Sequence, residues 1–452
     1  MHQDRVIAQW LEHARGLAAR GDDTAAKSAY LELLRLDPAH CAALNELGNL
    51  AWASGHRSAA LTAYLQAVSC HPGDPVGHVN LGNVYYHDGD LLQARAQYEA
   101  ALACGDRAEA HQGLARTLTA LGEAAAAEPH WQQGFAGHAL VRRRYRGCGS
   151  AVPALLLVSV RHGNIATQRI LDDKVFEVSA LYTEFWDPAQ SLPAHSIVFN
   201  AVGDADLCSV GLARAQALLA HTSAPVINPP ARVARTGRVD NAHRLGRLPG
   251  VIAPATRAIS RQGLRSDPGL KFPLLLRTPG FHTGRHFLRV DRSEDLPAAL
   301  AALPGEELLA IEFLDARGAD AMVRKYRVMI IDGALYPLHL ALSADWKVHY
   351  FSSQMALHAA HRDEERRFLE DMPAILGPTA LAGLQRIGAD LGLDYVGVDF
   401  ALGRDGSVLL FEANAAMAIL PPDADPRWNY RRAATDRALE AVKGMLLARE
   451  AR

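Results

Sequence analysis

A repeat of about 34 residues fills the first third of the chain and restricts that part to one kind of architecture. Four segments align from Ile7, Cys41, Pro75 and, more weakly, Ala108. The copies share a glycine between two helical runs, then a small residue, then a large aromatic one: Gly21, Gly55, Gly89 and Gly122; Ala26, Ala60, Ala94 and Ala127; Tyr30, Tyr64, Tyr98 and Trp131. Small residues let helices approach closely and the aromatic ring fills the next gap, so we predict stacked helix pairs over residues 1–141.

This pattern resembles the tetratricopeptide repeat. The resemblance implies a curved solenoid whose concave face binds a peptide or protein partner. Asn49, Asn80 and Asn83 lie where asparagines of such domains hold a peptide backbone or a terminal carboxylate. We prefer the simpler interpretation, in which Leu-Gly-Asn is common at this position of the repeat. Self-association or regulation through the repeats stays an alternative to substrate docking.

The composition excludes several classes of partner. A formal net charge of −2 over 452 residues gives no reason to expect nucleic acid or an anionic membrane as a partner. The sequence has no apolar run of about 18 residues, and its first residues lack the apolar core of a signal peptide. The five cysteines are scattered without C-x-x-C spacing, which is typical of free thiols in a reducing compartment. We therefore expect a cytoplasmic protein.

The periodicity changes after residue 141. Residues 142–153 are basic and contain glycine, which predicts a linker. Apolar runs then predict strands at 153–160, 195–202 and 224–228, with helices at 166–173 and 204–222. That order indicates a small doubly wound α/β domain over residues 154–230. A third domain over 231–452 is expected to be rich in strands from 271 to 351, with helices near 363–371, 376–392 and 433–449.

A hairpin in this third domain raises a question about charge. Asp405-Gly406 is typical of a two-residue type I′ turn, in which both central residues have positive φ. Pairing outward from that turn places Asp399 directly opposite Glu412, with Asn414 on the same face. The other face is then apolar and predicts a core contact for Val398, Phe400, Leu402, Leu409 and Phe411. Two adjacent carboxylates repel each other, which raises one pKa unless another group compensates the charge.

Four interpretations fit this carboxylate pair. It is an acid/base pair of a glycosidase, an exposed hairpin edge, a proton-sharing dyad, or a site for a hard cation. Asn414 adds a neutral oxygen, and a small set of oxygen ligands suits Mg²⁺, with Mn²⁺ as an alternative ion. If a metal cancels the repulsion, removing one carboxylate should not destabilise the metal-free protein. The hairpin alone leaves the metal site and a structural role equally open.

The segment "VDFALGRDGSVLLFEANAAM" (398–417) resembles the metal-binding hairpin of the ATP-grasp superfamily. Segments before it follow the order of that family: "VINPP" (226–230), "PGVIAPAT" (249–256), "FPLLLRTPGFHTGRHFLRV" (272–290), "LLAIEFLD" (308–315) and "KYRVMIIDGALYPLHLAL" (325–342). The resemblance spans about residues 154–450 and is nearest to the glutathione synthetase and ribosomal-protein glutamate ligase group. The expected fold class is therefore α + α/β, with a repeat solenoid, a small doubly wound domain and an ATP-grasp module.

The resemblance implies ATP and Mg²⁺ as cofactors and assigns a role to individual residues. The metal ligands would be Asp399, Glu412 and Asn414. The phosphate contacts would be Arg238, Arg277, Gly280, His282 and Gly284, and the adenine contacts Glu312, Phe313 and Leu314. Asp320 or Asp315 would hold the ribose. Arg327, with Arg277, would act in catalysis by holding the phosphoryl group in transit, a task that suits the planar guanidinium.

The sequence departs from the family at several positions. Arg238 and Arg277 stand where lysines are usual. The residues before Arg327 are Arg324, Lys325 and Tyr326, where an acidic residue is common. Lys347 and His349 face the acceptor or belong to a solvated strand end. Residues 426–433 close over the site or pack on the surface.

The activity that the resemblance implies is ATP-dependent ligation of a carboxylate to an amine through an acyl phosphate. The acceptor would be a small amino acid or peptide, and the repeats would dock a peptide or protein. One alternative is a repeat scaffold with a nucleotide-sensing pseudoenzyme module. Another is phosphate transfer to an acceptor that is not a carboxylate.

Overall fold

The computed structural model describes residues 2–161, 163–281, 284–348 and 353–450. The chain divides into two compact units, which comprise residues 1–141 and 142–452. The first unit is helical, and the second contains three β-sheets with helices. No helix of the described residues is long and apolar enough to cross a membrane.

Eight helices form the described part of the first unit. They are α1 (His2–Ala19), α2 (Asp23–Leu36), α3 (Cys41–Ala53), α4 (Arg57–Cys70), α5 (Pro75–Asp88), α6 (Leu91–Cys104), α7 (Ala108–Leu121) and α8 (Ala124–Phe135). Each aligned sequence copy yields one pair, so the predicted repeat of helix pairs is confirmed. The glycine between the helices of each pair has positive φ, between 78° and 86°, which glycine adopts at the lowest cost.

The repeat positions pack as their side-chain sizes require. The four aligned alanines are fully buried, and the aromatic residue that follows each of them is nearly so. A Cβ atom on Gly48 would overlap the Tyr64 ring, and one on Gly82 would overlap the Tyr98 ring. The same tyrosines donate their hydroxyl protons to Asn49 Oδ1 at 2.8 Å and to Asn83 Oδ1 at 2.7 Å. Both asparagines therefore have a packing role within their own repeat.

The second unit contains fourteen strands in its described part, counting the first one at its boundary. They are β1 (Leu140–Arg142), β2 (Val152–Val158), β3 (Phe176–Tyr182), β4 (Ile197–Asn200), β5 (Val226–Ile227), β6 (Val251–Ile252), β7 (Thr256–Ser260), β8 (Leu274–Arg277), β9 (Phe287–Val290), β10 (Glu307–Glu312), β11 (Val323–Ile331), β12 (Ala334–Ser343), β13 (Tyr395–Leu402) and β14 (Val408–Asn414).

The remaining helices belong to the second unit. They are α9 (Ser209–Leu218), α10 (Pro230–Val233), α11 (Arg238–Leu245), α12 (Arg261–Ser266), α13 (Leu296–Ala302), α14 (Ala359–Glu370), α15 (Met372–Leu391) and α16 (Arg432–Glu450). The last three match the predicted helices to within a few residues. Helix α15 is kinked at Gly377, which has a φ of 73°. The next residue, Pro378, has no amide proton for a helical hydrogen bond, which accounts for a kink here.

The first sheet has the strand order β1-β3-β2-β4-β5, and β2 pairs in parallel with both β3 and β4. The three predicted strands are present, but the helix predicted at 166–173 is wrong. That segment forms only a turn, in which the Ile170 and Leu171 amides both donate to the Thr167 carbonyl and the side chains of Ile170 and Leu171 are buried. Strand β3 was missed between the predicted elements. The predicted linker at 142–153 contains the end of β1 and the start of β2.

Two antiparallel sheets complete the second unit. One has the order β7-β10-β8-β9, and the other has the order β12-β11-β13-β14, extended by a parallel pairing of β14 with β6. The core between helices and strands is continuous from the first sheet to the last, since Phe199 of β4 and Val398 of β13 belong to one buried cluster. The four-stranded sheet has a smaller core of its own around Leu276. The described strands from 271 to 351 confirm the predicted strand-rich region.

A glycine comparison tests the helix packing in the first unit. Gly48→Ala should lower the free energy of unfolding by about 1–3 kcal/mol, because the new methyl group meets the Tyr64 ring. Gly16→Ala, in which the added Cβ meets only the end of Arg20, should raise it by roughly 0.5–1 kcal/mol. Urea denaturation followed by circular dichroism measures both. Equal effects of the two substitutions would contradict the packing described.

Candidate functional site

The hairpin of β13 and β14 pairs Asp399 with Glu412, as predicted. The predicted turn is wrong. Leu402 pairs with Val408, the Gly406 amide donates to the Gly403 carbonyl at 3.0 Å, and Gly406 has a φ of 78°. Asp405 is not among the described residues with positive φ, so the loop is a type I turn closed by a left-handed glycine. It is one residue longer than a type I′ hairpin loop.

A β-bulge restores the register between the loop and the carboxylates. Phe400 pairs with Leu410 and Asp399 pairs with Glu412, so Phe411 is the extra residue. Val408 and Leu410, rather than Leu409 and Phe411, join Phe400 in the buried cluster. Phe411 is 37% exposed and lies at the wall of a cavity. The core contact predicted for Phe411 is therefore wrong, because the bulge turns this side chain away from the core.

This cavity has a volume of about 410 Å³ and is lined by residues of both antiparallel sheets. It brings together twelve of the residues for which a possible site role is predicted from the sequence: Arg238, Arg277, Gly284, Glu312, Phe313, Leu314, Asp315, Arg327, Lys347, Asp399, Glu412 and Asn414. Gly280 and Asp320 are described but do not line it. His282 and His349 lie outside the described residues.

Asp399 is the most buried charged group of the cavity wall, with 1% of its side chain exposed. Arg327 donates to it through both ends of its guanidinium, from Nε to Oδ1 at 2.6 Å and from Nη2 to Oδ2 at 2.8 Å. Lys325 Nζ lies 2.7 Å from the same Oδ2. Burial alone would raise the pKa of Asp399, but Arg327 and Lys325 hold it well below its usual range. Asp399 is therefore ionised and paired with two cations.

Glu412 has its own cation. Arg238 Nη2 lies 2.5 Å from Glu412 Oε1, and Asn414 Nδ2 donates to the same oxygen at 2.8 Å. Burial would raise the pKa of Glu412, and Arg238 and Arg277 lower it below its usual value. Asn414 Oδ1 accepts from the Ala416 backbone amide at 3.0 Å. The asparagine thus orients Glu412 and fixes the chain that follows the strand.

The repulsion between Asp399 and Glu412 is compensated by cationic side chains, whereas the sequence predicted a metal ion for this task. Each carboxylate already has a positive partner, so the facing pair is compensated by arginine and lysine. The described residues contain no group of three or more His, Cys, Asp or Glu side chains that could hold a metal ion. Asp399 and Glu412 still offer oxygen donors of the type that Mg²⁺ prefers. They fit such an ion only if their present cations move.

Arg277 and Arg238 form a second positive group beside Glu412. Arg277 donates to the carbonyl of Phe281, and its guanidinium lies over the Phe287 ring at 5.5 Å. Burial and the neighbouring Arg238 lower the pKa of Arg277 to about 10. A second anion at this position would relieve that unfavourable environment.

Aromatic side chains also line the cavity. Trp346 makes edge-on contacts with the rings of Phe287 and Phe313, at centroid distances of 5.4 and 6.3 Å. Glu312 accepts a hydrogen bond from the Ala255 amide at 3.0 Å, and its own amide donates to the Ala255 carbonyl at 2.9 Å. The cavity thus combines aromatic and charged side chains, which suits a ligand with a flat ring and an anionic group.

The two candidate ribose contacts differ in position. Asp315 lines the cavity and is paired with Arg317. Asp320 accepts from both ends of the Arg324 guanidinium, and Arg324 also bonds Glu364. Of the two, only Asp315 is placed to meet a ligand in the cavity.

Two further segments left open by the sequence are now located. Lys347 lines the cavity and donates to the Phe287 carbonyl at 3.2 Å. Residues 426–431 pack on α14, where Arg431 forms an ion pair with Glu365 at 2.6 Å and both side chains are buried. Surface packing, rather than closure over the site, therefore describes this segment.

Sequence reasoning did not include Lys325 among the site residues. A signal was available, because side chains two positions apart on a strand share a face, and Lys325 precedes Arg327 by two. The structure shows both on the cavity wall.

The comparisons with known proteins concern the repeats. The tetratricopeptide repeat family matches residues 63–96. Together with the eight observed helices, that match shows that the N-terminal region contains tetratricopeptide repeats, which are protein-interaction scaffolds. No curated protein matches the sequence.

Several solved structures are similar to part of the chain. MamA of Desulfovibrio magneticus RS-1, from residue 41 to its end, shares 21% identity with a TM-score of 0.26, covering 28% of this chain and 73% of that one. A tetratricopeptide repeat protein of Parabacteroides merdae ATCC 43184 shares 21% with a TM-score of 0.27, covering 30% and 54%. A thermophilic repeat protein of Thermus thermophilus shares 23% with a TM-score of 0.27, covering 29% and 73%.

The sequence predicts that removal of one carboxylate should not destabilise the metal-free protein, but the ion pairs of Asp399 lead us to expect the opposite. Asp399→Asn should lower the free energy of unfolding by about 3 kcal/mol at pH 7, because it leaves Arg327 and Lys325 without their buried partner. The pKa of Asp399 is lower in the folded protein than in the unfolded chain. This stabilisation is therefore complete above the unfolded pKa, about 3.9, and is lost as the pH falls below it.

Urea denaturation of both proteins between pH 3 and pH 7 measures this difference. It should be constant above about pH 5 and shrink below about pH 4. Asp405→Asn is the control, since it makes the same change in the exposed loop of the same hairpin. If Asp399→Asn unfolds like the control, Asp399 is not held by these cations.

Proposed function

We propose that the second unit is an ATP-grasp module that joins a carboxylate to an amine at the expense of ATP. The observation that carries the proposal is the composition of the cavity, which brings together aromatic side chains, four cationic side chains near two carboxylates, and a glutamate at the end of a strand. The residues that resemble the nucleotide site of the ATP-grasp family lie far apart in sequence. In the structure they line the same cavity. A chance resemblance gives no reason for that convergence.

The proposed reaction has two steps. An oxygen of the substrate carboxylate attacks the γ-phosphorus of ATP, so that ADP leaves and an acyl phosphate forms. The amine nitrogen then attacks the acyl carbon, phosphate leaves, and the nitrogen loses a proton to give the amide. Splitting the reaction replaces hydroxide, a poor leaving group, by phosphate.

The side chains of the cavity would act by position and charge. Arg327 offers a planar fork of donors that matches a phosphoryl group in transit, and Arg277 and Arg238 would bind the phosphates of the nucleotide. Leu275, Ile311 and Phe313 line the apolar part, where the adenine ring would be shielded from water. Glu312 and the Leu314 backbone would give the ring its polar contacts.

Asp399 and Glu412 would hold Mg²⁺ once their cations turn to the phosphates, with Mn²⁺ as an alternative. The ion would supply charge neutralisation on the phosphate oxygens. Asn414 would act through Glu412, whose carboxylate it orients.

The repeats would dock a peptide or protein that carries the reactive group. Docking would raise the local concentration of that group at the ATP site, so that specificity resides away from the chemistry. Binding of extended peptides and proteins is the usual work of such solenoids.

A second candidate is a scaffold whose ATP-grasp module senses nucleotide without catalysis. The observation that favours it is the compensation of Asp399 and Glu412 by lysine and arginine. A site whose carboxylates are already paired without metal would bind an anionic nucleotide but not catalyse its reaction.

Turnover distinguishes the two candidates. The purified protein should release ADP and phosphate from ATP in the presence of an acceptor from a panel of amino acids and peptides, and mass spectrometry should find an amide with loss of water. A protein that binds ATP but gives no ADP with any acceptor would support the sensor.

Arg327→Lys should lower turnover about 100- to 1,000-fold while ATP still binds, because lysine keeps the charge but loses the fork. Arg427→Lys is the matched control. Arg427 also donates to an aspartate through Nε and Nη2, although both bonds go to Oδ2 of Asp425, and it does not line the cavity. A fall of less than tenfold in Arg327→Lys would make Arg327 a binding residue only.

Removal of residues 1–141 tests the docking role. The remaining compact unit should keep basal ATP hydrolysis and lose at least about tenfold in kcat/KM for a native peptide or protein acceptor, since the tethering is gone. A small free acceptor is the internal control and should react equally with both proteins. Full activity of the shortened chain on the native acceptor would leave self-association or regulation as the role of the repeats.

A further inference from the structure

Lys325 is a cation of the cavity wall to which the reaction proposed above gives no specific task. It lies on β11 two residues before Arg327, so both side chains project from the same face of the strand. Its side chain is only 15% exposed, and Nζ lies 2.7 Å from Asp399 Oδ2. Long cationic side chains usually extend into water, so this burial against one carboxylate requires a reason.

The oxygens of Asp399 are heavily engaged. Oδ1 accepts from Arg327 Nε, while Oδ2 accepts from Arg327 Nη2 and contacts Lys325 Nζ as well. A carboxylate oxygen has two lone pairs, so Oδ2 has a partner for each. A divalent ion that approached this oxygen would meet an ammonium and a guanidinium at the same place. Oδ2 is therefore closed to a metal while both cations stay.

The two cations differ in how firmly they are held. Arg327 makes two parallel hydrogen bonds from a rigid fork, whereas Lys325 makes one contact from the end of a flexible four-carbon stem. Lys325 is thus the partner that leaves at lower cost. What would draw it away is an anion, and the cavity favours one, because five cations face four carboxylates on its wall.

We propose that Lys325 is an exchangeable counter-ion of Asp399 that couples metal binding to polyphosphate binding. Without nucleotide, Lys325 occupies Asp399 and keeps a divalent ion out. When a polyphosphate enters, the ammonium moves from the carboxylate to the phosphate oxygens and opens Oδ2 to the ion. The two ligands then raise each other's affinity, as linkage requires. This inference rests on the proposed nucleotide site and deepens it by naming a positioning residue.

Binding of Mn²⁺ to the full chain without nucleotide tests the closed state directly. Electron paramagnetic resonance measures free Mn²⁺ during a titration and needs no enzymatic activity. Lys325→Met should bind Mn²⁺ at least about tenfold more tightly than the unaltered protein, because Asp399 loses one of its two cations. Lys325→Arg keeps the charge and should resemble the unaltered protein.

Lys347→Met is the matched control. It removes one lysine charge from the same cavity, but Lys347 bonds the Phe287 carbonyl and not Asp399. If Lys347→Met tightens Mn²⁺ binding equally, the effect is general electrostatics and the proposal is wrong. The double variant Lys325→Met/Asp399→Asn should lose the gain, which places the ion on Asp399. Lys325→Gln, with folding checked by circular dichroism, serves if the methionine variant does not fold.

A second titration tests the coupling. Calorimetry with ATP, with and without Mg²⁺, gives the factor by which the metal changes ATP affinity. That factor should be smaller in Lys325→Met than in the unaltered protein. An unchanged factor, or tight Mn²⁺ binding by the unaltered protein without nucleotide, would overturn the proposal. Failure of the unaltered protein to bind ATP, with the Mn²⁺ gain still present in Lys325→Met, would instead refute the nucleotide site and leave Lys325 as the counter-ion of Asp399.

Discussion

The pairing of Asp399 with Arg327 and Lys325 is the interaction on which the cavity depends. A carboxylate with 1% exposure persists in ionised form only if nearby cations replace the water that it lost. Here the strand order supplies them, because β11 lies next to β13 and Arg327 pairs directly with Asp399. The same arrangement orders three charged side chains at the cavity wall. The fold therefore determines the site, because the hydrogen bonds between β11 and β13 set the strand register and so place Arg327 beside Asp399.

Glu412, on the neighbouring strand β14, is compensated by a cation in the same way. Arg238 begins helix α11, yet its guanidinium reaches Glu412 on β14, so the charge network links a helix start to the hairpin. Arg277 adds a cation from the other antiparallel sheet, and its pKa is lowered first by burial and then by the neighbouring Arg238. An anion would stabilise this buried guanidinium, which is the physical basis for expecting a polyphosphate here.

How far the sequence predicts the structure differs between the parts of the chain. The repeats are predictable because each position is set by local size, as the fit of Tyr64 against Gly48 illustrates. The cavity residues are found through a family resemblance, but their partners are not, because contacts such as Lys325 with Asp399 depend on tertiary geometry. The predicted pairing of Asp399 with Glu412 is right although the turn is wrong, since a longer loop and a bulge cancel each other. Strand β3, in which Glu177 and Ser179 interrupt the apolar residues, was not predicted.

Because Phe411 is an extra residue in a bulge, the length of strand β14 can change at this point without moving the two carboxylates. Phe400 pairs with Leu410 and Asp399 with Glu412, so deletion of Phe411 alone would leave both pairings intact. One residue can thus be gained or lost here without moving the charged groups. In related sequences, an insertion or deletion at Phe411 would change the shape of the cavity wall and would leave Asp399 and Glu412 in their positions.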